Sequence, residues 1–180
     1  MEEKKYKIIY ADPPWHYERT GVQGAAEYHY PTMSDEDLCA LPVEQIADRD
    51  CILFLWATFP KLPEALRLIR AWGFKYKSVA FVWLKQNKKK NTWYYGLGFW
   101  TRGNAEICLL ATKGHPKRKS AAVHQFIISP IREHSKKPDE TREKIIELMG
   151  DVPRIELFAR QKTDGWDTWG NEVPNSIELQ

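Results

Sequence analysis

Cys51-Ile52-Leu53-Phe54-Leu55-Trp56-Ala57 is an unbroken apolar run, with Asp48-Arg49-Asp50 before it and Pro60 shortly after. A run of this length is far too short to span a membrane and long enough for a strand. Its lack of polar alternation means that both faces of the strand are covered. Strands of that kind belong to parallel sheets enclosed between helices. Residues 63–72 then read as the covering helix, which makes strand followed by helix the local rule.

Working outward, residues 7–11 (KIIYA) form another short buried strand. It stops at Asp12 because Pro13 and Pro14 cannot continue a sheet ladder, so Asp12 sits at a strand's carboxyl end. Residues 15–31 show neither helical nor strand periodicity and are too long for a simple connector, a pattern of functional lids and disordered segments. Ser34, followed by Asp35, Glu36 and Asp37, reads as an N-cap and acidic first turn, opening a helix over 35–40 with Leu38 and Leu41 inward. Toward the C-terminus, 79–84, 106–111, 125–128 and 154–158 are strand candidates. Residues 138–149 are a helix with Pro138 in its first turn and Gly150 at its close. The alternation predicts one α/β domain over 1–180, with three layers, a mostly parallel central sheet, and ligands bound outside the carboxyl ends of the strands.

Composition narrows the class. The chain has 180 residues, 43% of them hydrophobic, enough for one substantial core. Cys39, Cys51 and Cys108 are odd in number and far apart, which argues against a disulfide framework or structural zinc and for a reduced, cytoplasmic setting. The five histidines show no metal-ligand spacing. The charged start, Met1-Glu2-Glu3-Lys4-Lys5, resembles no signal peptide, and no apolar run has membrane length. A net charge of +3 is only mildly basic, but it is unevenly spread. Lys85, Lys88, Lys89 and Lys90 form one basic run, and Lys113, His115, Lys117, Arg118 and Lys119 another. Solvated loops and phosphate contacts are the competing readings. Trp15, Trp93, Trp100, Trp166 and Trp169 lie in polar or Gly-containing stretches, where an indole suits stacking on a ligand or base.

An apolar strand that ends in Asp12-Pro13-Pro14-Trp15 places a carboxylate, a rigid turn with free carbonyls and a flat ring at one rim of the sheet. An adenine amine is a weak nucleophile because its lone pair is delocalised into the ring. The Asp12 carboxylate and Pro13 carbonyl could accept its two N–H bonds while Trp15 stacks on the extruded base. A capped Pro-Pro turn is the plainer alternative, but a chance Asp-Pro-Pro-Trp in a chain this long has a probability on the order of 10⁻³ or less.

The tetrapeptide and its surroundings resemble the DPPW-type (MT-A70-like) S-adenosylmethionine-dependent N6-adenine methyltransferases. This family includes the messenger-RNA adenosine methyltransferase and compact bacterial and phage DNA enzymes. The likeness extends through Tyr30-Pro-Thr-Met-Ser34, Phe54-Leu-Trp56, Gly98-Phe-Trp-Thr-Arg-Gly-Asn-Ala-Glu106, Lys113-Gly114, His134-Ser-Lys-Lys-Pro-Asp139, Ile155-Glu-Leu-Phe-Ala-Arg160 and Trp166-Asp-Thr-Trp-Gly-Asn171.

The resemblance implies a Rossmann-like methyltransferase domain with permuted motif order, the catalytic strand early and the cofactor-binding strand late. It implies S-adenosyl-L-methionine as cofactor. Asp12 would contact it, Lys137 would neutralise its carboxylate, and Glu156, Phe158, Arg160, Asn171 and Glu172 would hold its adenosine half. Tyr30 would belong to a gate over the target base, and Trp100 and Glu106 would lie on the substrate side. The basic runs near 85–90, with Lys88, Lys89 and Lys90, and 113–119 are the candidate phosphate contacts by their charge. Only eleven residues precede Asp12, so the upstream segment that holds the cofactor's adenine in larger relatives is expected to be missing. With no added recognition domain, target recognition falls to loops or a partner chain, and either a homodimer or a partner subunit fits. DNA is the expected substrate by analogy with compact members, with RNA as the runner-up and a catalytically inactive nucleic-acid-binding subunit as the alternative of another class.

Overall fold

A computed structural model of the chain describes residues 3–17 and 32–180. Its strands are β1 (Tyr6–Ala11), β2 (Ala47–Ala57), β3 (Lys75–Gln86), β4 (Ala105–Lys113), β5 (Phe126–Pro130), β6 (Arg154–Leu157) and β7 (Asp167–Trp169). Its helices are α1 (Asp35–Ala40), α2 (Val43–Ile46), α3 (Leu62–Ala71) and α4 (Glu140–Met149). The strands form one sheet in the order β5-β3-β4-β2-β1-β6-β7. β1 lies near its middle, parallel to β2 on one side and β6 on the other, with Ile8 opposite both Ile52 and Arg154.

Side chains alternate across a strand, so the continuous apolar runs feed two cores. Ile9, Ala11, Leu53 and Leu55 join Leu38 of α1 and Leu68 and Ile69 of α3 on one face. Ile8, Tyr10, Ile52, Phe54 and Trp56 join Ile145 of α4 and Trp166 on the other. Helices on both faces make the three layers. Truncating a buried Leu such as Leu53 to Ala in such a core costs about 2–5 kcal/mol. The helix ends follow their sequence signals. The Ser34 hydroxyl accepts from the Asp37 N–H at 3.1 Å, and Gly150 closes α4 with φ of 89°. α4 begins at Glu140 with Asp139 as its N-cap, leaving Lys137 and Pro138 just ahead of it.

β4 runs antiparallel to both β2 and β3, whereas the other pairings are parallel. The reason lies in the connection. Residues 87–104 contain no helix to carry the chain back along the sheet, so it reverses as a long hairpin does. One consequence positions the site, since the start of β4 lies beside the ends of β2 and β3, pairing Ile107 with Ala57 and Glu106 with Trp83. No helix among the described residues is long and apolar enough to cross a membrane.

Candidate active site

Asp12 leaves the carboxyl end of β1, and three charged side chains converge there from other elements. The Lys137 ammonium, from the segment ahead of α4, is 3.2 Å from Asp12 Oδ2 and 3.6 Å from Glu106 Oε2. Lys85, near the end of β3, meets the same Glu106 oxygen at 3.3 Å. The charges therefore alternate along a row: Asp12, Lys137, Glu106, Lys85. The Lys137 ammonium also lies 5.8 Å from the centre of the Trp56 ring and donates to the Ser135 carbonyl at 3.1 Å. Burial pushes the Asp12 carboxyl above its ordinary value, with Glu106 adding to the shift and Lys137 and Arg160 opposing it.

Two adjoining pockets open above the ends of β1 and β6 and share Asp12, Phe158 and Arg160. One continues past Lys137 toward Arg142 and Glu156. The other runs over Pro13, Pro14 and Trp169 to Asn171 and Glu172. Its floor is tightly built. Phe158 adopts a left-handed φ of 60°, and its ring meets Trp169 edge-on at 5.4 Å. A Cβ on Gly170 would lie 2.5 Å from the Ala159 carbonyl oxygen, so only glycine lets the chain pass there. Non-glycine backbone held at positive φ is costly and tends to gather at ligand sites.

Not every expected side chain faces these pockets. Trp15, expected to stack on a base, is only 5% exposed and packs in the core on the α1 and α3 face. The physical reason is its indole N–H, which finds a partner in the Trp56 carbonyl at 3.2 Å and draws the ring inward. Its backbone N–H bonds the Pro13 carbonyl at 2.9 Å, so the residue pins the Pro-Pro turn to the sheet. That leaves a second lone pair on the Pro13 oxygen. Glu156 lines a pocket, but its two oxygens accept from Arg142 at 2.8 and 2.9 Å. Burial works against the Arg142 charge, and its bonds to Glu156 outweigh that, leaving the guanidinium pKa raised. Trp100 is 92% exposed and Lys88, Lys89 and Lys90 are exposed, all outside both pockets. Tyr30 lies outside the described residues. Arg142 carries no site assignment from sequence, since a helix's interior arginine offers no local signal of its partner. Lys85 reads there only as part of a basic run, solvated or in contact with phosphates, and not as a partner of Glu106.

Pockets at the carboxyl edge of a doubly covered, mostly parallel sheet are where Rossmann-like folds hold their ligands. Together with the acidic turn at the end of β1 and the family match below, they make the chain a methyltransferase domain of that class. The MT-A70 family model matches residues 6–172, and the chain belongs to that family. It is 36% identical to the Type II methyltransferase M.MunI of a Mycoplasma species, over 99% of this chain and 83% of that protein. It is 29% identical to the N(6)-adenosine-methyltransferase catalytic subunit METTL3 of Homo sapiens, over 94% of this chain and 28% of that one. An N(6)-adenosine-methyltransferase MT-A70-like protein of Arabidopsis thaliana is likewise 29% identical, over 97% of this chain and 24% of its own length. The chain thus spans most of the Mycoplasma protein and about a quarter of the plant and human ones.

Proposed function

We propose that the chain transfers a methyl group from S-adenosyl-L-methionine to the N6 amine of adenine in DNA. The observation that carries this reading is the position of Asp12, at the junction of the two pockets and beside Lys137. The residues present suit the cofactor. A carboxylate and an ammonium side by side match the α-ammonium and α-carboxylate of its methionine half, which would meet Asp12 and Lys137. Asn171 and Glu172, across the shelf made by Phe158, Trp169 and Gly170, offer hydrogen-bonding groups for a ribose and adenine. Arg160, common to both pockets, would lie against the middle of the molecule. Bound there, the cofactor supplies an electrophilic methyl group on a cationic sulfur.

The chain's own contribution is to hold and orient the amine. The Asp12 carboxylate and the remaining lone pair of the Pro13 carbonyl accept its two N–H bonds, which favours pyramidal nitrogen and exposes its lone pair. The Asp12 carboxylate would stabilise the positive charge that the amine gains on taking the methyl group from the sulfonium. One N–H proton is then lost, and a carboxylate of raised pKa is a suitable acceptor. Trp15 takes part by fixing the turn that aims the Pro13 oxygen. Glu106 and Lys85 complete the row of charges that keeps Lys137 beside Asp12.

The choice of DNA over RNA rests on coverage. The Type II methyltransferase is matched over most of its length, the N(6)-adenosine-methyltransferases over about a quarter of theirs. Tritiated methyl transfer to DNA and RNA oligonucleotides, followed by nucleoside analysis, tests the reading. N6-methyladenine in DNA is expected. Label in RNA alone, or in N4-methylcytosine, would overturn it.

A further inference from the structure

The connection between β3 and β4 projects as an arm from the same edge of the sheet as Asp12. Lys85 stands at its root and Glu106 at its return, joined at 3.3 Å. Backbone bonds brace it along its length. The Lys85 N–H donates to the Asn104 carbonyl at 2.9 Å, Tyr94 N–H to Lys85 at 3.0 Å, Asn87 N–H to Thr92 at 2.9 Å and Gly96 N–H to Gly103 at 2.7 Å. At the tip the chain folds so closely that a Cβ on Gly98 would collide with the Thr101 carbonyl oxygen.

This framework holds large apolar side chains in water. Phe99 and Trp100 are each 92% exposed and pack edge-on at 5.6 Å, with Leu97 at 80% and Tyr95 at 62% behind them. A contiguous exposed group of this kind marks an interaction surface. Its charge selects the partner. Lys88, Lys89, Lys90 and Arg102 lie on the same arm, and residues 86–105 contain no Asp or Glu. Cations interleaved with flat rings suit a polyanion that carries flat bases. The other basic run, Lys113 to Lys119, leaves from the end of β4, at the opposite edge of the sheet from Asp12.

We propose that residues 87–104 are a nucleic-acid-binding arm, in which Phe99 and Trp100 stack on bases beside the target and Lys88, Lys89, Lys90 and Arg102 neutralise the adjacent phosphates. The assignment rests on the nucleic-acid substrate proposed above, and braced backbone means that the rings are already in place when the strand arrives.

The test compares the full chain with its F99A/W100A variant, whose altered side chains lie in solvent and leave the cores untouched. Fluorescence anisotropy would measure binding to two labelled DNA strands of equal length, one with all its bases and one with an abasic stretch. The wild-type chain should prefer the base-bearing strand by about tenfold or more, and the variant should bind both at the affinity the wild type shows for the abasic one. Equal binding of the two strands by the wild type, or a preference retained by the variant, would overturn the proposal. So would a wild-type dimer that the variant breaks, seen by sedimentation, with the preference intact, because the arm would then join copies of the chain. Binding needs no methyl transfer, so the two readings fail separately. A chain that shows the base preference but leaves adenine unmethylated loses the proposed activity and keeps the arm.

Discussion

Two ion pairs flank the carboxyl end of β1, and they are built differently. Arg142 and Glu156 meet fork to fork, at 2.8 and 2.9 Å, with the guanidinium also holding Asp139 at 2.9 Å. Lys137 meets Asp12 as a point charge at 3.2 Å and reaches Glu106 at 3.6 Å, while Glu106 also has Lys85. In the first pair both carboxylate oxygens are held by one guanidinium. In the second, Glu106 keeps Lys85 when Lys137 moves, so a guest's charges can enter by modest shifts. Charge near a pocket is therefore a poor guide to ligand contact. Whether both of a carboxylate's oxygens are already tied to one partner is a better one, and that separates Glu156 from Asp12.

Breaking the closed pair should give the largest effect. Arg142→Met leaves Glu156 buried without its cation and should cost about 3–5 kcal/mol of stability in denaturant unfolding. Adding Glu156→Leu should restore most of it, because an apolar pair of similar size avoids the desolvation of two charges. A loss under about 1 kcal/mol for Arg142→Met would show that the pair is not closed.

Asp12→Asn addresses the open row and should lower methyl transfer by about 10²–10³-fold, as removal of a charge-stabilising group at a reaction centre does. Its stability should move the opposite way. Burial raises the Asp12 pKa in the folded chain, so the folded state keeps its proton to a higher pH than the unfolded state. The contribution of Asp12 to stability therefore falls as pH rises above the ordinary carboxylate range. At neutral pH the Asn variant should melt above the wild type, and the gap should close as pH drops below that range. A gap that widened on acidification would contradict the sign. The smallest effect belongs to Lys137→Ala. Calorimetry should show cofactor affinity weakened by about ten- to a hundredfold, the worth of a hydrogen bond to a charged group, with less loss of stability than Arg142→Met.

Local chemistry explains which features were legible in sequence. The apolar runs at 8–11 and 51–57 mark strands buried on both faces, and Ser34 and Gly150 mark helix ends, because those signals act within a few residues. The direction of β4 was not legible, since residues 106–111 read alike whether parallel or antiparallel. β7 is three residues long and contains Asp167 and Thr168, too short and polar for a periodic signal. Among the site residues, Asp12 stood out through the turn it opens, and Lys137 through the family resemblance of the segment around it. Lys85 was hidden inside a basic run, and its separation from Lys88, Lys89 and Lys90 needs the end of β3 to turn it toward Glu106. Trp15 misled because an aromatic in a polar stretch carries no mark of where its N–H will bond.

The central place of β1 also sets an order of events during synthesis. Its register partners in β6 lie about 145 residues downstream, Ile8 opposite Arg154. At a ribosomal rate of about 5–20 residues per second, β1 waits roughly 7–30 s for that neighbour. β2 arrives sooner and can cover one edge, but the other edge stays open as an unpaired apolar template of the kind that invites aggregation. Lys137 also emerges late, so the Asp12 carboxylate acquires its counter-charge only when most of the chain is made. A newborn chain held at the ribosome near residue 130 should then engage chaperones that bind exposed strand edges, and release them once β6 has docked.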